Sequence, residues 1–290
     1  VKLLVTGRDG QVARSLAARI AASHGIEVVF AARPELDLAR PDTIAAVIEA
    51  ARPDVVVSAA AYTAVDQAED EPDLAFAVNA AGAGEVAKAA ASIGAPVIHL
   101  STDYVFDGTQ DRPYREDDPT GPQGVYGASK LAGERAVAEA NPRHVIVRTA
   151  WVYSPFGKNF VKTMLRLAQT RDEVSVVADQ WGNPTSADDI VEAVLVAARR
   201  LVSGDFDAWG VYHFAGQGKA SWADFAEEIF RVSSERGGPG ADVRRIGTAD
   251  YPTKARRPAN SQLDSGRFRR VFAHVSPHWQ DSLSSTLSPL

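Results

Sequence analysis

Short runs rich in valine and isoleucine alternate with longer alanine-rich stretches through the first half of the chain, and this alternation leaves few folds open. The runs are Lys2 to Val5, Glu27 to Ala31, Asp54 to Ser58, Pro96 to Ser101 and His144 to Thr149. They read as strands buried on both faces. Between them lie Gln11 to Ser23, Pro41 to Ala51, Pro72 to Ile93 and Val125 to Asn141, which read as helices. Pro41 and Pro72 stand where a first helical turn accepts proline. Strand and helix in alternation predict an α/β fold built on a parallel, doubly wound sheet.

After about Trp151 the pattern loosens. Ser154 to Asn159, Asp179 to Ser186 and Gly237 to Ala241 collect Gly, Pro, Asn and Ser, as loops that shape a pocket do. Helices are expected at Phe160 to Gln169, Asp188 to Leu201 and Ser221 to Val232, with a short strand at Val211 to Phe214. Residues 1–150 are therefore expected to form the sheet domain, a dinucleotide-binding one by the turn with Gly7 and Gly10 that follows its first strand. Residues 151–290 should form mainly a smaller substrate-binding lobe, some of whose elements return to the main sheet. The tail from Ser282 onward offers little to bury and is expected to fray.

Composition narrows the class of activity. The net charge is −6 with no basic cluster beyond arginine pairs, so nucleic acid is not an expected partner. The absence of cysteine excludes disulfides, thiolate catalysis and cysteine-bound metal. The chain begins on a strand and has no long apolar run, so secretion and a membrane span are not expected, and the cytoplasm is the default compartment.

The first strand runs directly into Thr6-Gly7-Arg8-Asp9-Gly10-Gln11-Val12-Ala13. Strand, glycine turn and helix is the order a dinucleotide site needs. Gly7 allows the tight turn, Gly10 lets backbone approach a pyrophosphate, and the helix from Gln11 points free amides at that charge. Ala13 replaces the third glycine, at a position that serves packing of helix on strand. The second strand is followed by Arg33, whose guanidinium suits a 2'-phosphate, so NADPH is expected, with NADH possible. Asp37 and Leu38 are expected to border the adenine. Tyr126 and Lys130 stand four apart, on one helical face. A lysine beside a tyrosine favours the phenolate, so the Tyr126 pKa is expected to fall from about 10 and make it an acid for carbonyl reduction.

Longer motifs carry a resemblance. Ala59-Ala60-Ala61-Tyr62-Thr63-Ala64-Val65-Asp66, Ser101-Thr102-Asp103-Tyr104-Val105-Phe106 and Val125-Tyr126-Gly127-x-x-Lys130-Leu131-Ala132-Gly133-Glu134 follow the glycine turn. Arg148-Thr149-Ala150-Trp151-Val152-Tyr153, Asp179-Gln180-x-Gly182-x-Pro184-Thr185 and Arg257-Pro258-x-Asn260-Ser261 come after them. With these, the chain resembles the extended short-chain dehydrogenase/reductases over nearly its whole length, within them the branch acting on dTDP-linked 4-keto-6-deoxysugars. The resemblance implies a Rossmann-type fold and a catalytic set of Thr102, Tyr126 and Lys130. Thr102 would donate to the C4 carbonyl oxygen, Tyr126 would deliver the proton, and Lys130 would hold the ribose hydroxyls. It further places Gly10, Gln11 and Val12 on the pyrophosphate, Ala61, Tyr62 and Thr63 along the middle of the cofactor, and Leu100 under the nicotinamide. Trp151 and Asp103 would face the sugar, and Arg257 would meet the diphosphate.

Two other activities stay open within that resemblance. Dehydratases of the superfamily carry Asp-Glu after the threonine, and Asp103-Tyr104 here argues against elimination; a sugar-nucleotide epimerase or a non-catalytic regulatory NADP-binding subunit are the alternatives. Some relatives bridge subunits through magnesium held by glutamates, one of them on the first helix. Here that helix carries Ser15, a poor ligand for a hard cation. No metal site is expected, and the chain should be a monomer or weak homodimer.

Overall fold

The computed structural model describes residues 1–20 and 25–287. In chain order the first half runs β1 (Lys2–Thr6), α1 (Gln11–Ile20), β2 (Glu27–Ala31), α2 (Ile44–Ala51), β3 (Val55–Ser58), α3 (Val65–Ala68), α4 (Pro72–Phe76), α5 (Ala83–Ser92), β4 (Val97–Thr102), α6 (Val125–Ala140) and β5 (His144–Thr149). The second half adds β6 (Val152–Tyr153), α7 (Phe160–Ala168), β7 (Glu173–Val177), β8 (Trp181–Gly182), β9 (Thr185–Ser186), α8 (Ala187–Leu201), β10 (Gly210–His213), β11 (Ala220–Ser221), α9 (Trp222–Glu235), β12 (Asp242–Ile246), α10 (Gly266–Phe272) and α11 (Trp279–Thr286).

The six-stranded sheet has the order β10-β5-β4-β3-β1-β2, and every pair in it is parallel. This is the α/β, doubly wound arrangement that the apolar runs predicted. Strands β3 and β4 are buried along their whole lengths, because helices cover both faces. On one face Leu3, Val5, Val57, Leu100 and Val147 pack with α1 and α8; on the other Leu4, Val56, Val97 and Ile146 pack with α2, α5 and α6. Ala13 lies in the first of these clusters, the close helix–strand packing its position was expected to serve. The order reverses between β1 and β3, and at such a reversal the loops beyond the strands' carboxyl ends part to leave a crevice. Thr6 holds that crevice's floor together, since its hydroxyl accepts from the Ala59 and Ala60 amides at 3.0 and 3.1 Å.

Both α8 and β10 come from the second half of the chain yet complete the sheet side, β10 pairing with β5. A second core, built on Tyr153, Met164, Phe225, Ile229, Trp279 and Leu283, gathers α7, α9, α11 and β7. Several details differ from the sequence reading. Pro72 to Ile93 is not one helix: α4 and α5 are joined by a wide π-helical segment, Ala77–Gly82, where Gly82 lies so close to Leu38 that a Cβ would sit 2.4 Å from its carbonyl oxygen. The parallel pair β7–β12 went unread, and the loop expected at Asp179 to Ser186 contains β8 and β9. The tail from Ser282 does not fray up to Leu287, because Leu283 and Leu287, 0% and 3% exposed, dock on the second core. Residues 288–290, and residues 21–23 of the expected first helix, lie outside the described residues. Among the described residues no helix is long and apolar enough to cross a membrane.

Candidate active site

The glycine turn after β1 has the shape its residues predicted. Gly7 takes φ +84°, a left-handed conformation natural to glycine, and its amide bonds Ala31 O at 2.7 Å. A Cβ on Gly10 would meet nothing within 4 Å, so the backbone there faces open space that a ligand can approach. Helix α1 has no acidic residue in its first turn, leaving the positive end of its dipole uncancelled beside Gln11 and Val12. The Gln11 side chain turns the other way, to the second half of the chain: its Oε1 accepts from Ser154 Oγ and Asn159 Nδ2, both at 2.9 Å.

Arg33 lies exposed just past β2. Asp37 and Leu38 both have local work: Asp37 Oδ1 accepts from the Ala39 amide at 3.0 Å, and Leu38 is 5% exposed in the core beside Gly82. Beyond β3, Ala61 and Tyr62 are half-buried and Thr63 is exposed. Asn79, a residue the sequence reading missed, clamps this turn. Its Oδ1 accepts from the Tyr62 amide at 2.8 Å while its Nδ2 donates to Tyr62 O and to Ser129 Oγ, both at 3.0 Å. One amide therefore ties the turn after β3 to α6. Its signal in the sequence was faint: a lone polar residue within Ala75 to Gly84.

The end of β4 brings Thr102 to the start of α6. Thr102, 5% exposed, donates to Asp103 Oδ1 at 2.9 Å and accepts from the Tyr104 amide at 3.2 Å. Asp103 is 2% exposed and its Oδ2 has no hydrogen-bond partner among the described residues; burial pushes its carboxyl up to about 6 against the weaker pull of the Ser261 and Thr102 hydroxyls. Tyr126 stands in the first turn of α6 with its ring edge-on to Tyr104, centroids 5.5 Å apart. Gly127 makes this approach possible, since a Cβ there would lie 2.2 Å from Tyr104 O.

The electrostatics at Tyr126 are the reverse of the expectation. Burial pushes its phenol up to about 12; the Thr102 hydroxyl restrains the rise, Asp103 adds to it, and Lys130 does not enter. The reason is geometric. Lys130 is 3% exposed and extends to the sheet, where its Nζ donates to Leu100 O at 2.7 Å. Burial lowers the ammonium to about 8, and Glu134 opposes that fall. A phenol near 12 is protonated at neutral pH, which is the form an acid needs. Leu100, expected beneath the nicotinamide, is 9% exposed and contributes that carbonyl.

Trp151 takes φ +47°, uncommon for a bulky residue, and its carbonyl accepts from the Thr185 amide at 3.2 Å. Its indole stacks on Trp222 at 3.5 Å and 5°, and Gly182 presses so near that a Cβ would lie 2.4 Å from the ring. No sequence spacing pointed to Trp222. Arg257 Nη2 donates to Asp66 Oδ2 at 2.6 Å, while its Nη1 is buried without a partner and the guanidinium lies 6.0 Å from the Tyr104 ring. The long-range pair with Asp66 brings Arg257 to the Tyr104 side of the site.

Comparison with known proteins agrees over the full length. A family model described as RmlD substrate binding domain matches residues 1–290. The dTDP-4-dehydrorhamnose reductase of Sinorhizobium fredii is 54% identical over 283 residues, which cover 97% of this chain and 95% of the relative. Two crystal structures superpose with a TM-score of 0.92. One is a dTDP-4-dehydrorhamnose reductase from Clostridium acetobutylicum, 37% identical and covering 100% of this chain and 99% of its own. The other is the dTDP-4-dehydrorhamnose reductase of Bacillus anthracis in complex with NADP, 35% identical with the same coverage.

Proposed function

The chain belongs to the dTDP-4-dehydrorhamnose reductase family, and from that premise we propose that it is an NADPH-dependent oxidoreductase reducing the C4 keto group of dTDP-4-dehydro-L-rhamnose to give dTDP-L-rhamnose. The observation that carries the reading is the meeting of Thr102 with Tyr126 at the carboxyl end of β4, with Lys130 buried one turn along α6.

The residues present fit the cofactor. Gly10 opens onto free space, the first turn of α1 carries no acid, and Arg33, exposed just past β2, would suit a 2'-phosphate. Gly7, Gly10, Gln11 and Val12 would hold the pyrophosphate, with Ala61, Tyr62, Thr63, Leu100 and Lys130 along the remainder. NADPH supplies the hydride. Thr102 donates a hydrogen bond to the C4 oxygen and orients the carbonyl. Tyr126, held protonated by its buried setting, passes its proton to that oxygen as charge develops there. Lys130, anchored to Leu100 O, would hold the ribose hydroxyls with its remaining N–H donors. Trp151 offers a flat apolar surface to a deoxysugar, Asp103 its carboxyl, and Arg257 a positive charge to the diphosphate.

Ser15, a neutral hydroxyl 1% exposed, would be a poor ligand for a magnesium shared between subunits, and the proposed state is a monomer or weak homodimer without one. Residues 1–150 would serve mainly the cofactor and 151–290 mainly the substrate. The test is to mix the protein with NADPH and freshly generated dTDP-4-dehydro-L-rhamnose and follow the nicotinamide absorbance. Oxidation is expected, reduced by about 10²–10⁴-fold in Tyr126→Phe; no oxidation by the wild type would sink the reading.

A further inference from the structure

Tyr126, Lys130 and Glu134 follow one another at intervals of four and share one face of α6. The third has no part in the chemistry described above, yet its carboxylate accepts three side-chain hydrogen bonds. Glu134 is 4% exposed. Its Oε1 accepts from Ser101 Oγ at 2.5 Å and Arg148 Nε at 2.8 Å, and its Oε2 accepts from Arg148 Nη2 at 2.7 Å. Ser101 and Arg148 are register partners across β4 and β5, one step before Thr102 and Thr149. The carboxylate thus bolts α6 to the strand pair immediately below the catalytic hydroxyl.

We propose that Glu134 is a positioning residue for the reduction: clamped by Arg148 and Ser101, it holds the Tyr126–Lys130 face of α6 against β4 and supplies the buried negative charge that keeps Lys130 an ammonium. The inference rests on the reductase reading, because Tyr126 and Lys130 are the groups it serves.

The charges around Lys130 point this way. Its ammonium donates to the Leu100 backbone carbonyl, not to a carboxylate. From β4 it faces His99, whose ring is 1% exposed, bonds Ser58 Oγ at 3.1 Å and is kept neutral by burial and by Lys130 itself. On its own helix Tyr126 is an uncharged phenol. Among the described residues Glu134 is the anion that acts on it, and it raises the Lys130 pKa. A buried pair such as Glu134–Arg148 is not needed for stability, because an apolar pair of similar volume commonly does as well or better. What an apolar pair could not supply is the charge.

The test uses Glu134→Met/Arg148→Met, which removes the pair without leaving a lone buried ion, alongside Glu134→Asp. NADPH affinity is read from nicotinamide fluorescence and kcat/KM from oxidation, each from neutral to alkaline pH, with thermal melting as the control for folding. The double variant should melt near the wild type, lose about tenfold or more in kcat/KM, and move the alkaline limb of both profiles toward acid by about one pH unit. Glu134→Asp, which keeps the charge, should restore the limb though not the full kcat. A folded double variant with the wild-type limb would overturn the proposal, and so would a loss uniform across pH that tracks a fall in melting temperature. If the wild type bound NADPH but oxidised none, the reductase reading would fall, while the pH profile of binding would still decide the coupling of Glu134 to Lys130.

Discussion

Replacing Lys130 by methionine should stabilise the cofactor-free protein while abolishing its activity. Burial lowers the Lys130 pKa from 10.5 to about 8. At about 1.4 kcal/mol per unit, holding the ammonium in its site costs about 3 kcal/mol relative to the unfolded chain. The residue is only 3% exposed, so solvent screening hardly discounts this. Methionine is similar in length and removes the charge, but forfeits the hydrogen bond to Leu100 O, worth about 1 kcal/mol. No ion is stranded, because Glu134 keeps Arg148 at 2.7 Å. The net gain is about 2 kcal/mol, which for a chain of 290 residues raises the melting temperature by about 3 °C.

The pH dependence gives the stricter check. Below about 8 both folded and unfolded wild type carry the proton, and the full cost is present. As pH rises from about 8 towards 10.5 the folded protein loses its proton first, so the wild type gains stability that the variant does not. Melting curves of Lys130→Met and wild type, measured without cofactor, should therefore be furthest apart at neutral pH and converge in alkali. A variant that melts below the wild type at neutral pH, or a gap that does not narrow with pH, would refute the reasoning.

Gly133→Ala places a Cβ 2.0 Å from Asn79 O, a backbone atom that cannot step aside. The helix-propensity gain of about 1 kcal/mol is outweighed by overpacking; the melting temperature should drop by several degrees and the KM for NADPH rise as Asn79 releases Tyr62, and an unchanged KM would uncouple the two. Arg33→Ala should raise the KM for NADPH about tenfold to a hundredfold and leave that for NADH alone, as steady-state kinetics with each cofactor would tell; equal losses would remove Arg33 from the 2'-phosphate. Asp103→Asn should raise the melting temperature at neutral pH, by at most about 3 kcal/mol of stability, because the buried carboxyl titrates at about 6 instead of 3.8. A raised carboxyl pKa disfavours the folded state above that value, so the gain should fade as pH falls through 6 towards 4; a pH-independent gain would locate its cause elsewhere.

The sheet was legible because its strands are buried on both faces, and such strands must be runs of Val, Ile and Leu whatever lies next to them. The glycine turn was legible for a similar reason: Gly7 needs a left-handed backbone that few residues supply. The two-residue strands β6, β8, β9 and β11 are too short to show a period, and their partners lie far along the chain. The break between α4 and α5 depends on Gly82 meeting Leu38, a contact no local pattern announces. Ser282 onward looked dispensable, yet Leu283 is fully covered by a core that draws on α7, more than a hundred residues upstream, as well as on α9.

At the site the division is the same. Thr102, Tyr126 and Lys130 could be named from spacing and motif, because a helix brings residues four apart to one face whatever surrounds it. Which way Lys130 points, and so the direction of the Tyr126 shift, could not. The amine found Leu100 O on β4 instead of the phenol, and burial raised a pKa that proximity alone was expected to lower. Sequence by itself determined the layer order, the glycine turn and the groups proposed to react, all matters of local geometry and chemical type. Only the tertiary structure decided their charges and supports, through Asn79, Glu134 and Arg148, because the cost of a charge depends on everything packed around it and not on its neighbours along the chain.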